Sequence, residues 1–306
     1  MKQLGALVRL ARPRQWLKNG FVFVGLFFAH AWGDHALVLD VVALFAGFCL
    51  VSSAVYVFND VMDRDADRAH PGKRSRPVAA GSIGTTAALA YCAVLAAAGL
   101  TLAAFVSVAA LGTAGGYILV NLSYSLGLKH VAVLDVFLIA AGFMLRLLAG
   151  TLGVGIAPSR WLLLCGVMVT LFLGFAKRRA ELASLKENDI RLESVQDGTG
   201  SLVAEVSQRR ALSAYSLESL DGMIAVTAAG TVIGYAFYTI DQRTIALHAT
   251  DDLVYTVPLV MYGIARYLWM LYRRGGGADP SAELMRDPHL VVALFGWLGL
   301  TWWLIA

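Results

Sequence analysis

Long apolar runs recur along almost the whole of this chain, and they constrain its fold more than any other feature. The sequence has 306 residues, of which 58% are hydrophobic and only 15% are charged. Soluble domains carry roughly 25% charged residues, and about 20 apolar residues suffice to cross a bilayer as a helix. The pattern predicts an all-α, multi-pass membrane protein, which we expect to form a single integral-membrane domain over residues 1–306.

Nine spanning helices are predicted from these runs. We place them at residues 17–33, 36–58, 84–106, 108–126, 133–152, 160–178, 213–240, 252–272 and 290–305. Residues 1–16 are expected to be an amphipathic segment at the membrane surface, and residues 182–212 a polar helix lying on that surface. The helices are expected to form one bundle with a polar cap on its cytoplasmic side.

The basic residues indicate how the chain is oriented. With nine spans, 21 of the 25 lysines and arginines fall on one side and two on the other. Cytoplasmic loops carry such an excess of positive charge. The N-terminus and the basic loops are therefore expected in the cytoplasm and the C-terminus outside, as in a plasma (inner) membrane protein. We expect membrane and lipid partners and no nucleic acid, and the apolar surface permits a homo-oligomer.

An acidic motif closes the second predicted span. Asp60, Asp63 and Asp67 are spaced i, i+3 and i+7, so on a continuous helix their carboxylates would share one face. Like charges repel unless a cation lies among them, and oxygen ligands of this kind suit Mg²⁺. The basic run that follows the motif suits phosphate oxygens. The alternative is a solvated, salt-bridged loop between two membrane helices.

Arg146 lies between apolar residues inside the fifth predicted span. A charge there costs roughly 2.5–3.5 kcal/mol on insertion scales, so such residues are functional candidates. One interpretation is a phosphate-binding arginine in a polar cavity, and the other is a buried ion pair with an acid. Asp221 is interpreted as structural, and Arg266 as a side chain that reaches to the membrane surface.

Further basic residues lie at the predicted cytoplasmic ends of spans. Lys18 begins the first span, Lys129 follows the fourth, and Lys177 and Arg178 end the sixth. Taken alone they are ordinary anchors, and Lys177 with Glu181 makes a helix-end pair worth about 0.2–0.5 kcal/mol. Together with the aspartates they would suit a substrate pair with a polyphosphate group on one partner and a lipid tail on the other.

The pattern Asn59-Asp60-x-x-Asp63-x-x-x-Asp67 resembles the first aspartate motif of the UbiA superfamily of intramembrane prenyltransferases. The resemblance implies a nine-helix bundle, a Mg²⁺ cofactor and a lateral opening to lipid. The superfamily's usual second aspartate motif is missing, and Lys177-Arg178-Arg179-Ala180-Glu181-Leu182 stands in its place.

This departure resembles one branch of the superfamily, the polyprenyl-phosphate phosphoribosyltransferases. The matching segments are Arg12-Pro13-Arg14-Gln15-Trp16-Leu17-Lys18-Asn19, Ser53-Ala54-Val55-Tyr56, Lys73-Arg74-x-Arg76-Pro77, Gly127-Leu128-Lys129-His130, and Arg146 followed by Ala149-Gly150. The resemblance implies transfer of 5-phosphoribose from phosphoribosyl pyrophosphate to a polyprenyl (decaprenyl-type) phosphate, with release of pyrophosphate. In that branch the product feeds arabinose donors for cell-wall polymers.

The resemblance also implies roles for individual residues. The catalytic residues would be Asp60, Asp63 and Asp67, which with Asn59 would bind the metal and its diphosphate. The substrate-binding candidates are Lys18, Tyr56, Asn59, Lys73, Arg74, Tyr124, Lys129, Arg146, Lys177, Arg178 and Glu181. Among these, the basic residues would take phosphates, the tyrosines would line the donor site, and Glu181 would hold ribose hydroxyls or a second metal.

Two other functions compete with this interpretation. A conventional prenyltransferase, joining a polyprenyl diphosphate to an aromatic or other small acceptor, would share the fold and the first motif. The missing second aspartate motif and the added basic residues argue against it. A transporter or a non-catalytic lipid-binding scaffold is disfavoured because the charges cluster at one membrane face and not at the midplane.

Overall fold

The computed structural model describes residues 2–70, 72–193, 212, 214–273, 283 and 286–305, with backbone only at 2–3 and 186–193. Over these residues the secondary structure is helical, without strands. The chain forms two compact units that divide after Pro158. The single domain expected over residues 1–306 stays a prediction.

The first unit is built around one long central helix. Its elements are α1 (Lys2–Ala11), a 3-10 helix (Pro13–Phe23), α2 (Val24–Phe28), α3 (His35–Met62), α4 (Arg64–Ala69), α5 (Thr85–Val106), α6 (Val108–Ser125) and α7 (Leu134–Ala149). Helices α1, α5 and α6 and the 3-10 helix all pack on α3. Its fully buried side chains Val41, Leu44, Phe48 and Val51 lie in the core of the unit.

The first predicted span differs most from the structure. Residues 17–33 do not form one α-helix but belong to the 3-10 helix Pro13–Phe23 and the short α2. The 3-10 helix follows Arg12, whose backbone is left-handed at φ 52°, and it lies against the end of α7. A Cβ on Gly150 would overlap the carbonyl oxygen of Val22, so the two backbones touch.

The second unit pairs long helices. Its elements are α8 (Arg160–Glu193), α9 (Leu217–Ile240), α10 (Gln242–His248), a 3-10 turn (Asp252–Thr256), α11 (Val257–Arg273) and α12 (Pro288–Ile305). Helix α8 packs along α9, and α11 packs along α12. Arg266, expected to reach to the membrane surface, instead donates two hydrogen bonds to Asp287 at 3.2 and 2.8 Å. Asp287 is buried, so the arginine joins α11 to the start of α12.

Seven of the described helices are long and apolar enough to cross a membrane. They are His35–Met62, Thr85–Val106, Leu134–Val154, Arg160–Leu185, Leu217–Ile240, Asp252–Arg273 and Pro288–Ile305. Outward-facing side chains such as Phe105, 83% exposed, and Trp303, 75% exposed, are those expected of helices that contact lipid. The predicted span 108–126 corresponds to α6, which is not among the seven because it carries Asn121, several hydroxyl groups and three glycines.

The predicted surface helix at 182–212 is only partly covered by the structure. The backbone of α8 continues as a helix to Glu193. Residues 194–211 lie outside the described part of the chain.

Candidate active site

The acidic motif lies where α3 ends. The helix stops at Met62, and α4 begins at Arg64 after a corner at Asp63. The corner is tight, since the backbone N–H of Asp67 still donates to the carbonyl of Asp63 at 2.8 Å. The three aspartates therefore do not lie on one straight helix, and their carboxylates have different partners.

Asp60 and Asp67 share a cation. Both carboxylates are buried, at 2% and 3% exposure. The Nη1 of Arg76 lies 3.2 Å from Oδ1 of Asp60 and 2.7 Å from Oδ2 of Asp67. Arg12 makes a second ion pair with Asp60. Two buried carboxylates are thus compensated by two guanidinium groups, one 48 residues before Asp60 and one nine residues after Asp67. Such compensation is what buried charge requires.

Asp63 is held by another basic residue. The Nζ of Lys129 lies 3.0 Å from its Oδ1. Next to it, Asn59 accepts a hydrogen bond through Oδ1 from the hydroxyl of Ser125 at the end of α6. The motif is therefore tied to the α6–α7 connection. Lys129, expected at the same membrane face as the aspartates, contacts Asp63, and its phosphate-binding role stays a prediction.

Arg12 contacts two predicted site residues at once. It pairs with Asp60, and its guanidinium carbon lies 5.1 Å from the centre of the Tyr56 ring. The left-handed backbone at Arg12 costs energy in a non-glycine residue. Such strain persists where surrounding contacts determine the conformation, and here the ion pair with Asp60 is such a contact.

The basic run after the motif contains two cations with no recorded acidic partner. Lys73 is half-buried and Arg74 is exposed. Among the residues that the structure describes, no ion pair involves either of them. Lys18 and Tyr124, also predicted at the site, are both half-buried in the first unit.

Arg146 is buried in the first unit at 5% exposure. Its Nε donates to Asn19 Oδ1 at 2.7 Å, its Nη1 to the Gly142 carbonyl at 2.9 Å, and its Nη2 to the Tyr117 hydroxyl at 2.8 Å. These acceptors are neutral, and no acid pairs with Arg146 within the described part of the chain. The buried ion pair considered from the sequence is not what the structure records.

In the second unit, the charged side chains of residues 177–181 make ion pairs with one another and with neighbouring helices. Arg178 lies 2.6 Å and Lys177 3.8 Å from the Glu181 carboxylate. Arg179 donates to Asp221 at 2.5 Å and lies 4.2 Å from the centre of the Tyr272 ring. Asp221 thus joins α9 to α8, in agreement with the structural role predicted for it.

The donor set fits a hard cation in its chemistry. Carboxylate and amide oxygens are the ligands that Mg²⁺ accepts, and a positive charge is already held between Asp60 and Asp67, namely the Nη1 of Arg76. In the arrangement observed, no group of three or more His, Cys, Asp or Glu side chains among the described residues is placed to hold a metal. Binding there would require the arginine to leave the two carboxylates.

Sequence reasoning missed Arg12 and Arg76 as site residues. Both lie in segments that carried the family resemblance, yet Arg12 meets Asp60 across 48 positions of sequence and Arg76 does so across 16. The available signal was charge balance, since two buried acids require nearby bases.

These features define a class of protein. The described residues are helical, seven of their helices are long and apolar enough to cross a membrane, and a charged cluster lies at the end of one of these. This combination defines an integral membrane protein with a buried polar site. The model of the UbiA prenyltransferase family matches residues 20–192, and the chain belongs to that family. The resemblance inferred from the aspartate motif is confirmed.

Curated relatives are similar to this chain over nearly its full length. Decaprenyl-phosphate phosphoribosyltransferase of Mycolicibacterium smegmatis is 32% identical over 97% of this chain and 91% of its own length. The protein of the same name from Corynebacterium glutamicum is 32% identical over 95% of this chain and 84% of its own. A UbiA homolog from Archaeoglobus fulgidus, solved bound to GPP and Mg²⁺, has a TM-score of 0.72 at 18% identity and covers 98% of this chain and 99% of its own, which shows the shared fold.

Proposed function

We propose that this protein is a polyprenyl-phosphate phosphoribosyltransferase, which transfers 5-phosphoribose from phosphoribosyl pyrophosphate to a decaprenyl-type phosphate. In this reaction the bond between ribose C1 and the pyrophosphate oxygen breaks, and pyrophosphate leaves with the electron pair. A new bond forms between C1 and an oxygen of the lipid phosphate. The observation that carries the proposal is the full-length similarity to two proteins named for this activity.

The charges of the first unit support the proposal. Asp60, Asp63 and Asp67, with Asn59, would hold Mg²⁺, which when bound supplies charge neutralisation to a departing diphosphate. Arg12, Arg76 and Lys129 neutralise the acids in the arrangement observed. These same bases would turn to phosphate oxygens once the acids have another cation. Lys73 and Arg74, for which no acid partner is recorded among the described residues, are available to bind phosphates.

Other parts of the assignment rest on the resemblance. Tyr56, Tyr124 and Lys18 would line the donor and phosphate sites, Lys177 and Arg178 would bind phosphates, and Glu181 would bind ribose hydroxyls. The arrangement of nine spans, with the active site and N-terminus in the cytoplasm and the C-terminus outside, belongs to the same proposal. A location in the plasma membrane and a product used for cell-wall polymers follow from the branch that the sequence resembles.

The proposal is tested by an assay of the purified full-length protein in detergent. Phosphoribosyl pyrophosphate, polyprenyl phosphate and Mg²⁺ are supplied, and lipid-linked phosphoribose and released pyrophosphate are measured. We expect both products in equal amounts and neither in the presence of EDTA. Turnover of a polyprenyl diphosphate with an aromatic acceptor, without phosphoribosyl transfer, would assign the protein to the conventional prenyltransferases instead.

A matched pair of variants tests the metal assignment. Asp63→Asn removes a charge that contacts Lys129, whereas Asp65→Asn removes one whose side chain is 92% exposed. We expect Asp63→Asn to lose at least about 100-fold in turnover, the scale of losing one electrostatic contact to the transition state. Asp65→Asn is expected to retain wild-type turnover. Equal turnover in the two variants would exclude Asp63 from the metal site.

A further inference from the structure

A buried polar network runs through the first unit below the acidic motif. Arg146 on α7 binds Asn19 and Tyr117, and all three residues are at most 5% exposed. Each nitrogen of the Arg146 guanidinium already donates to an acceptor of the protein. This arrangement differs from that of an arginine whose donors point into an open site.

The charge of Arg146 is compensated without a carboxylate. Its guanidinium carbon lies 4.5 Å from the centre of the Tyr117 ring and 5.2 Å from the centre of the Phe143 ring. Aromatic faces attract cations, and more strongly when both are removed from water. Neutral oxygens accept from three of the five guanidinium N–H groups. Together with the two aromatic rings, these groups of the protein compensate for the burial of the cation without a carboxylate.

The network fixes the 3-10 helix Pro13–Phe23 from two sides. On one side Asn19 receives the Nε–H of Arg146 from α7, and on the other its Nδ2 donates to Ser52 Oγ on α3 at 3.2 Å. Trp16 donates to Ser53 Oγ at 3.0 Å, and Ser53 in turn donates to the Ala11 carbonyl at 2.8 Å. These contacts set the position of the chain immediately before and after Arg12.

We infer that Arg146 is a positioning residue that holds the 3-10 helix through Asn19 and thereby keeps Arg12 on Asp60. Arg12 stands directly before the 3-10 helix and pairs with Asp60. The inference rests on the proposed function only in placing Asp60 in the active site. It replaces the phosphate-binding role that the sequence suggested for Arg146.

The test compares two substitutions that separate position from charge. Arg146→Lys keeps the cation but cannot reach Asn19, Tyr117 and the Gly142 carbonyl together. Asn19→Asp keeps an acceptor for Arg146. It loses the Nδ2–H that Ser52 accepts, but the Ser52 hydroxyl can donate to the new carboxylate instead, and the new charge cancels the arginine's field. Hydrogen–deuterium exchange of residues 13–23 is measured on the full-length protein in lipid nanodiscs, along with KM for phosphoribosyl pyrophosphate and for polyprenyl phosphate.

A positioning role predicts faster exchange in Arg146→Lys, by roughly tenfold for one or two buried hydrogen bonds lost. The turnover of Arg146→Lys is expected to fall as its exchange rises. Asn19→Asp is expected to keep both KM values and the exchange rate near those of the wild type. A phosphate ligand predicts the reverse: Arg146→Lys keeps its KM values, and Asn19→Asp raises one of them. Wild-type exchange in Arg146→Lys overturns the inference.

Two further variants complete the test. Tyr117→Phe removes one acceptor with little change of shape, so exchange of residues 13–23 should rise in it even if Arg146→Lys does not fold. The control is Arg266→Lys, which weakens the ion pair of Arg266 with Asp287 in the second unit. It should leave the exchange of residues 13–23 unchanged. Because exchange needs no substrate, its result is independent of the assay that tests the proposed reaction.

Discussion

At the scale of single residues, the site is a problem of charge compensation. Asp60 is buried at the end of the membrane-length helix α3, and Asp67 is buried on the short α4 that follows it. An unpaired carboxylate in either place would be strongly destabilising. Arg76 contacts both carboxylates, and Arg12 contacts one of them. The charges of the two acids are thus compensated by bases of the same chain. In the proposed function these bases would turn to phosphate oxygens.

Removing the shared arginine should destabilise the protein. In Arg76→Gln two buried carboxylates lose a charged donor, and we expect a loss of about 1–3 kcal/mol in the free energy of unfolding. The measurement is thermal unfolding in detergent. Arg74→Gln, two residues away and exposed, is the control and should unfold like the wild type. Identical unfolding of the two variants would mean that the Arg76 pairs contribute no stability.

Sequence reasoning reached the acids of this site but not all of its bases. Asp60, Asp63 and Asp67 stand together in the sequence, and Lys129 could be placed near them because positive charge at helix ends collects on one membrane side. In the sequence, Arg12 stood out only as part of a segment that carries the family resemblance. Its pairing with Asp60 depends on the left-handed turn at its own backbone, and no local pattern predicts a left-handed arginine.

At the scale of elements, the first unit depends on a close contact between backbones. The 3-10 helix Pro13–Phe23 touches the end of α7 at Gly150, where only a hydrogen fits. The sequence predicted an α-helical span here because residues 17–33 are apolar. Apolar runs indicate burial, but they do not distinguish an α-helix from a tighter helix held by tertiary contacts.

Gly150→Ala should displace this helix. The added methyl group would overlap the Val22 carbonyl oxygen, so we expect a lower unfolding temperature. Turnover should also fall, because a displaced 3-10 helix would move Arg12 away from Asp60. Gly20→Ala is the control on the same 3-10 helix, since a Cβ there meets nothing within 4 Å. Thermal unfolding and turnover of the two variants are compared. Equal behaviour would show that the contact at Gly150 is easily relaxed.

A second element-scale prediction concerns acid stability. Hydrogen bonds from Arg266 lower the pKa of Asp287 to about 2, and the backbone N–H groups of Leu290 and His289 add to the effect. The unfolded chain has an aspartate pKa of about 3.9. The ionised Asp287 therefore contributes stability above pH 4, and this contribution is lost as the pH falls from about 4 to about 2.

The corresponding variant is Asp287→Asn. At pH 7 it should unfold at a lower temperature than the wild type, and the difference should shrink as the pH approaches 2. Asp34→Asn is the control because Asp34 caps α3 without an arginine partner among the described residues, and asparagine caps as well as aspartate. A difference that stays constant between pH 7 and pH 3 would contradict the role assigned to the ion pair.

At the scale of the whole molecule, length and composition predicted the membrane class and most of the helices. Seven predicted spans correspond to helices of the structure, and most of their ends agree to within a few residues. The exception is α8, which extends well beyond the predicted 160–178. Length and composition could not predict how the helices of the first unit pack. This packing depends on contacts between residues far apart in sequence, such as Asn19 and Arg146, which are 127 positions apart. The family match supplied the fold that patterns of charge and hydropathy left open.

The proposed orientation predicts the side of the membrane on which residue 306 lies. An odd number of spans, nine as proposed, puts the two termini on opposite sides, with the C-terminus outside. Alkaline phosphatase fused after residue 306 should therefore be active, and green fluorescent protein at the same position should be dark. The reverse result would place the C-terminus in the cytoplasm and require one span more or fewer.

The pairing of Asp60 and Asp67 with Arg12 and Arg76 also bears on how the protein is made. A nascent chain that entered the bilayer with bare acids would depend on an ion being present during synthesis. Here each acid meets a base of the same polypeptide, so its charge is compensated without a bound ion. We therefore expect the chain to complete its folding in the membrane before any donor molecule reaches it.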